Sequence, residues 1–422
     1  MSEILRDTIA RNRAGELAAI PSVCTAHPQV ITASLMLAER LDRAVVIEAT
    51  SNQVNQDGGY TGMKPADFIR FVNVLADDAK VSRERVLFGG DHLGPQAWRK
   101  GDAETAMAKA RVMVADYVKA GFTKIHLDCS EGCKGEAAQL PDEITAARAA
   151  DLAMACERAA LTPPLYVVGT EVPPPGGARA GEDGHITPTK PEAARATLDA
   201  HEAAFGEAGL AHVLPRIVGL VVQPGVEFSP MSVHRLPMDR DPGLKQAVAH
   251  WPGLCLEAHS TDYQHSEVFP RLAELGFAFQ KVGPALTFAW RQAVYALDSL
   301  ARMAGWLDGE TLPDVMDRLM LAGRASWTGH YQGQDADIRV ERQFGLADRI
   351  RYYWPIPQAQ QAVARTFAAF EGRRLPDPLL LQGFAPELLA RAEAIPGSRP
   401  LALANAAVQQ ALAPYFFPAT RS

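Results

Sequence analysis

Eight short apolar runs, each followed by enough chain to form a helix, constrain the fold more than any other feature of this sequence. They are Ile20 to Thr25, Ala44 to Ala49, Val86 to Phe88, Lys124 to Leu127, Leu165 to Val168, Ile217 to Val222, Leu254 to Leu256 and Phe277 to Lys281. Short apolar runs bounded by turn residues read as buried strands. The Ala-, Leu- and Arg-rich stretches between them, such as Pro28 to Leu41, Glu104 to Ala120 and Asp142 to Ala160, have helical spacing. Eight alternating β/α units over roughly 260 residues predict an α/β TIM barrel, with a doubly wound open sheet as the competing arrangement.

Beyond Phe288 the pattern turns helical, over Ala289 to Leu307, Thr311 to Leu321, Gln358 to Glu371 and Pro386 to Ala394. Residues 1–288 are therefore read as the barrel domain and 289–422 as a C-terminal helical extension packed on it. Within that extension Arg349 to Pro355 is aromatic and basic, either a packed connector or a segment whose Arg349 and Arg351 close over a phosphate.

A net charge of -7 argues against nucleic acid and against a basic membrane-surface patch, and no apolar run reaches membrane-spanning length. Five scattered cysteines, Cys24, Cys129, Cys133, Cys156 and Cys255, do not form a disulfide framework or a zinc knuckle. With no apolar signal core at the N-terminus, the expected location is the cytoplasm.

The strand ends carry the chemistry. The third run breaks into Gly89-Gly90-Asp91-His92, where two glycines are expected to turn the backbone so that acid and imidazole face one pocket. The first run ends at His27 and the second carries Glu48 and leads to Asn52-Gln53. The fourth gives His126-Leu127-Asp128, the fifth Glu171, the sixth Gln223, the seventh Glu257-Ala258-His259-Ser260-Thr261-Asp262 and the eighth Lys281. Ionisable groups inside a barrel are costly unless they meet metal, water or substrate, so eight polar ends together favour an active site. Individually each has a structural role open to it: Glu48 and Lys281 as a buried ion pair, His259 as a core histidine, Glu171 as a cap.

Two histidines from different strands and a carboxylate make an open three-ligand metal site, for which His92, His259 and Glu171 fit best. A bound Zn²⁺ or Mn²⁺ would polarise a ketose carbonyl while Asp91 or another carboxylate moves a proton. Lys281 as a Schiff-base former is the alternative.

Those same motifs, with Asn55-Gln56, Gly58-Gly59-Tyr60-Thr61-Gly62, Gly94-Pro95, Gly169-Thr170-Glu171-Val172-Pro173, Lys281-Val282-Gly283-Pro284 and Arg349 to Pro355, resemble the class II D-tagatose-1,6-bisphosphate aldolase Z-subunit family (GatZ/KbaZ-like). This family includes D-tagatose-6-phosphate 4-epimerase-like members. The resemblance covers nearly the whole chain. It implies a TIM barrel, a phosphorylated ketose substrate, and a divalent metal, Zn²⁺ first, with Mn²⁺ or Co²⁺ as alternatives.

Similarity to catalytic class II aldolases implies Asp91 as acid/base, Asp128 as the acid of the fourth strand and Glu182 as a mobile-loop acid; Glu48 and Lys281 are further catalytic candidates from their places on the strands. It also implies His92 and His259 as zinc ligands. Where those aldolases have His-Gly on the sixth strand, this chain has Gln223-Pro224-Gly225, so Glu171 or Gln223 would complete the metal site. His27, Asn52, Gln53, Gln223, Ser260, Asp262, Arg349 and Arg351 are the expected substrate contacts. Two activities follow from the resemblance: a D-tagatose 6-phosphate / D-fructose 6-phosphate 4-epimerase working by retro-aldol chemistry, or a non-catalytic companion of a Y-type aldolase subunit in galactitol or N-acetylgalactosamine catabolism. A kinase label used for the family has no support, because no G-x-x-x-x-G-K-[ST] loop is present. Homo-oligomerisation is an open expectation.

Overall fold

The structure is a computed structural model and describes residues 2–169 and 186–419. All eight apolar runs form parallel strands of one closed barrel. The strands are β1 (Ile20–Cys24), β2 (Val45–Thr50), β3 (Val86–Leu93), β4 (Lys124–Leu127), β5 (Leu165–Val168), β6 (Ile217–Val221), β9 (Cys255–Ala258) and β10 (Phe277–Val282). Closure is direct, since β1 pairs with both β2 and β10, so the open-sheet alternative is excluded. A two-stranded hairpin, β7 (Glu227–Phe228) with β8 (Val233–His234), interrupts the alternation after β6. Two residues per strand leave too short a pattern to read in a sequence.

Side chains two apart on a strand share a face, and this alternation sorts the barrel interior into layers. At the amino ends Ile20, Val46, Leu87, Leu165, Cys255 and Phe279 form an apolar floor with Leu5 and Ile9 of the N-terminal helix Ser2–Arg13. Two residues further along, the interior turns charged: Glu48, Lys124, Glu257 and Lys281 are all buried. The outward faces of the strands, including Val45, Ile47, Phe88 and Ile125, join the helices in a larger apolar core.

Helix starts follow their sequence signals. Pro65, Asp142 and Pro191 open the helices Pro65–Asp78, Asp142–Ala159 and Pro191–Glu207, and Asp102 caps Ala103–Ala120 by accepting the Thr105 N–H at 2.9 Å. Helix Pro284–Met303 follows β10 directly. Helices Leu312–Ala322, Pro357–Ala368 and Pro386–Glu393 lie where helical spacing predicted them, while Asp335–Phe344 and Arg399–Leu412 were not anticipated. The latter is alanine-rich and buried on most sides, so it lacks the polar stripe that reveals a surface helix. It packs against Pro28–Arg40 and Pro284–Met303. No helix among the described residues is long and apolar enough to cross a membrane.

Candidate metal centre and substrate cavity

The loop expected after Phe88 is strand: β3 runs through Asp91 and His92 to Leu93. Gly89 and Gly90 do not turn the chain, as neither has positive φ. Their role is space, because a Cβ on Gly89 would stand 2.7 Å from Glu48 Oε1, and one on Gly90 would stand 2.5 Å from a Leu93 methyl. A bulge makes the turn instead. Gly90 pairs with Ile125 and Leu93 with Leu127, so three steps on β3 span two on β4. His92 takes φ +46° within it, and Ser260, on the loop after β9, takes φ +52°. Both line the same cavity, and strained backbone of this kind clusters at functional sites.

The charged layer is one connected network. Lys124 Nζ lies 2.8 Å from Glu48 Oε1 and 2.7 Å from Glu257 Oε2; Lys281 Nζ lies 2.8 Å from Glu48 Oε2 and contacts Asp91 Oδ2. Burial alone would lower both lysines, but the carboxylates outweigh it and raise both pKa values. A lysine held charged in this way is not a Schiff-base nucleophile. Burial would raise Asp91 and Glu257, yet the surrounding positive groups, His92 and Lys281 at Asp91 and Lys124 at Glu257, hold both below the ordinary carboxylate range.

Three imidazoles converge above this layer, with ring centroids 5.2 Å apart for His92 and His126, 5.0 Å for His92 and His259, and 5.3 Å for His126 and His259. His92 is clamped: Nδ1 is 2.7 Å from Asp128 Oδ2, and Asp128 Oδ1 accepts from Ser130 Oγ at 2.7 Å. Burial works against its charge, but Asp91 and Asp128 overcome it and raise the His92 pKa. Burial and then the Lys281 charge push His259 down to about 3, so its imidazole stays neutral, as a metal ligand must. Asp91, His126, Glu257 and His259 bring one ligand atom each within 4.8 Å of one another, and all four are buried. His126 Nε2 has no hydrogen-bond partner among the described residues, although it is buried. Lys124 and Lys281 stand against Glu48, Asp91, Asp128 and Glu257, so two formal positive charges meet four negative ones. Donor set, orphaned nitrogen and residual charge fit a divalent cation.

Asn52, Gln53, Ser260, Asp262 and Arg351 line the cavity together with Asp91, His92, His259 and Lys281. His27 lines an adjoining cavity of about 590 Å³ that shares Gln53, Tyr60 and Arg351; its ring packs 4.3 Å from that of Trp290. Burial holds it neutral, down to about 3. Two expected substrate contacts are engaged elsewhere. Gln223 Oε1 accepts the N–H groups of Gly225 and Val226 at 2.8 and 3.0 Å, which shapes its own loop, and Arg349 donates to the Ser326 carbonyl. Neither is among the residues lining the cavity. Glu171 and Glu182 lie outside the described residues. Sequence reasoning placed His126 and Glu257 at polar strand ends without giving either a role, and it missed Lys124 in the site and Cys24 and Tyr352 on the cavity wall. A period-two reading backward from the strand ends carries part of that signal, since Lys124 and Glu257 stand two residues before His126 and His259.

A family model described as D-tagatose-1,6-bisphosphate aldolase subunit GatZ/KbaZ-like matches residues 5–420. The chain is 46% identical over 420 residues to a D-tagatose 6-phosphate 4-epimerase of Agrobacterium fabrum, covering 98% of each chain. It is 41% identical over 430 residues to the D-tagatose-1,6-bisphosphate aldolase subunit GatZ of Salmonella typhimurium, covering 99% of each. Among solved structures, a probable tagatose 6 phosphate kinase from Sinorhizobium meliloti 1021 superposes with a TM-score of 0.86 at 46% identity, over 94% of this chain and 99% of that one.

Proposed function

The chain belongs to the D-tagatose-1,6-bisphosphate aldolase subunit GatZ/KbaZ-like family, and from that premise we propose that it is a metal-dependent 4-epimerase interconverting D-tagatose 6-phosphate and D-fructose 6-phosphate. The observation that carries this reading is the buried Asp91, His126, Glu257 and His259 group at the wall of a cavity rich in polar groups. A chain needed only to stabilise a partner has no use for such a group, which costs folding energy.

Zn²⁺ is the cation we assign, with Mn²⁺ or Co²⁺ able to replace it, held by those four residues. Such a cation supplies Lewis acidity at the ketose carbonyl. The protein's own groups do the rest. Glu48, Lys124 and Lys281 fix Asp91 and Glu257, and Asp128 fixes the His92 ring. Asp262, whose carboxyl burial pushes up to about 6, lines the cavity and is the group we assign to the C4 hydroxyl proton. Asn52, Gln53 and Ser260 offer hydrogen bonds to sugar hydroxyls. Arg351, with no carboxylate within ion-pair distance among the described residues, offers its charge to the phosphate. We assign the protein to the cytoplasm, which suits its five free thiols.

A second reading, a companion that works with a Y-type aldolase subunit, draws on the 41% identity to GatZ. One experiment separates the two. The purified chain alone, with Zn²⁺ and then with EDTA, is incubated with D-fructose 6-phosphate and followed by NMR. Metal-dependent appearance of tagatose 6-phosphate is the expected result. No conversion, with triose release from tagatose 1,6-bisphosphate only after a Y-type subunit is added, would establish the companion instead.

A further inference from the structure

The cavity has a wall that the strand ends do not build. The turn Arg349–Tyr353 forms it, anchored by its N-terminal neighbour Asp348, whose carboxylate accepts from Arg291 Nε at 2.9 Å and from Thr287 Oγ1 at 2.6 Å. Both partners belong to helix Pro284–Met303, so the turn is fixed to the helix that follows β10. Arg351 and Tyr352 project from it into the cavity lining.

Tyr352 sits between two cations. The Arg351 and Arg349 guanidinium carbons lie 4.5 and 5.1 Å from its ring centroid, and Arg351 Nη2 donates to its hydroxyl oxygen at 2.9 Å. Neither arginine has a carboxylate within ion-pair distance among the described residues; the phenol acts on both, and Asp348 acts on Arg351 from further off. The hydroxyl accepts from Arg351 and has no acceptor for its own proton among the described residues, which leaves that proton to be given to a ligand. Burial alone would make the phenol harder to ionise; the two guanidiniums outweigh it and bring its pKa below the ordinary tyrosine value. The other titratable neighbours are Tyr60, whose ring meets it edge-on at 4.9 Å, and Cys24.

We propose that Tyr352 is the second proton-transfer group of the epimerisation, meeting the C4 oxygen on the face opposite to Asp262. This rests on the 4-epimerase reading above. Inversion at C4 requires one group to take a proton from the hydroxyl and another to return one after the aldehyde has turned. On the first face Asp262 takes the C4 hydroxyl proton as the C3–C4 bond breaks, leaving the bonding pair on the C3 fragment and an aldehyde at C4. On the second face that pair re-forms the bond to C4, and Tyr352 gives its phenolic proton to the aldehyde oxygen. Asp262 then loses its proton to water and the Tyr352 phenolate regains one from water, so the reverse reaction uses the same two groups exchanged. Arg351 joins the two ends of the substrate: a phosphate on C6 lies only two carbons from C4, so the arginine that holds the phosphate also holds the phenol.

The test is Tyr352→Phe in the full, metal-loaded chain. Its kcat for D-fructose 6-phosphate should fall about 100-fold or more, with KM within about threefold and bound metal per chain unchanged. Ultraviolet difference titration should lose the lowest-titrating phenolate band of the wild type, a readout independent of turnover. A kcat within about threefold of wild type, or a loss carried entirely by KM, would overturn the role of Tyr352 alone. An inactive wild-type chain would overturn the epimerase reading and this role with it.

Discussion

His126 Nδ1 lies 2.9 Å from Asp91 Oδ1, while the other nitrogen of the same buried ring, Nε2, meets no hydrogen-bond partner among the described residues. A carboxylate beside one imidazole nitrogen, with the other nitrogen free of partners, is how proteins orient a histidine toward a metal. His92 has the same kind of carboxylate partner, Asp128 at 2.7 Å from its Nδ1, but it is not among the four residues whose ligand atoms lie within 4.8 Å of one another. His126→Ala should therefore lower bound metal by about 10- to 100-fold. His92→Ala should keep the metal and lose turnover. Elemental analysis of the purified variants decides it, and metal lost from the His92 variant but kept by the His126 variant would restore His92 as a ligand, as the sequence alone suggests.

Glu48 and Lys124 are fully buried and face each other at 2.8 Å, and each also holds a second partner, Lys281 for Glu48 and Glu257 for Lys124. Removing one member takes a partner from two buried charges and leaves the interior layer one charge out of balance, which costs far more than the intact pair contributes. Glu48→Gln and Lys124→Met should each destabilise the fold by about 3–5 kcal/mol in denaturant unfolding. The double replacement should cost less than the sum, because neither charge is then left alone.

These residues also show where sequence reading stops. The eight strands were legible because parallel barrel strands are buried on both faces and read as unbroken apolar runs. Strand-end residues such as Asp91, His259 and Lys281 were legible because they interrupt those runs. Lys124 begins its run and Glu257 follows one directly, so each looked like a boundary residue rather than a member of an interior layer. His126 was read with Asp128 as one polar end, and only the barrel's closure brings its ring next to His92 and His259. The glycines before Asp91 suggested a turn, but what they provide is room for Glu48.

Asp262 gives the stability a pH dependence of definite sign. Its Oδ1 accepts the N–H groups of Gly283 and Ala285 at 3.0 and 2.8 Å, yet burial dominates and lifts its carboxyl from 3.8 to about 6. The folded chain thus binds this proton more tightly than the unfolded chain. Its contribution is fully present below about pH 4, falls as pH rises toward 6 and is gone above that. Asp262→Asn keeps an oxygen for both N–H groups and removes the titration. The stability difference between wild type and variant should shift against the wild type by at most about 3 kcal/mol between pH 4 and pH 7, measured by urea unfolding. A difference that does not change with pH would show that the carboxyl is ionised in the fold throughout.

Leu5 and Ile9 place an apolar plug against the floor of the barrel, directly below the charged layer. Charges in that layer interact strongly only while water is kept from them, and the N-terminal helix Ser2–Arg13 packs against β9 and β10, which carry Glu257 and Lys281. Leu5→Ala removes a fully buried side chain and leaves a cavity, so stability should fall by about 2–5 kcal/mol. Because Leu5 belongs to the apolar floor and not to the metal group, bound metal and KM should stay at wild-type values at temperatures where the variant remains folded. A loss of metal from a folded Leu5→Ala chain would mean that the floor does more than stabilise, since it would also set the geometry of the layer above it.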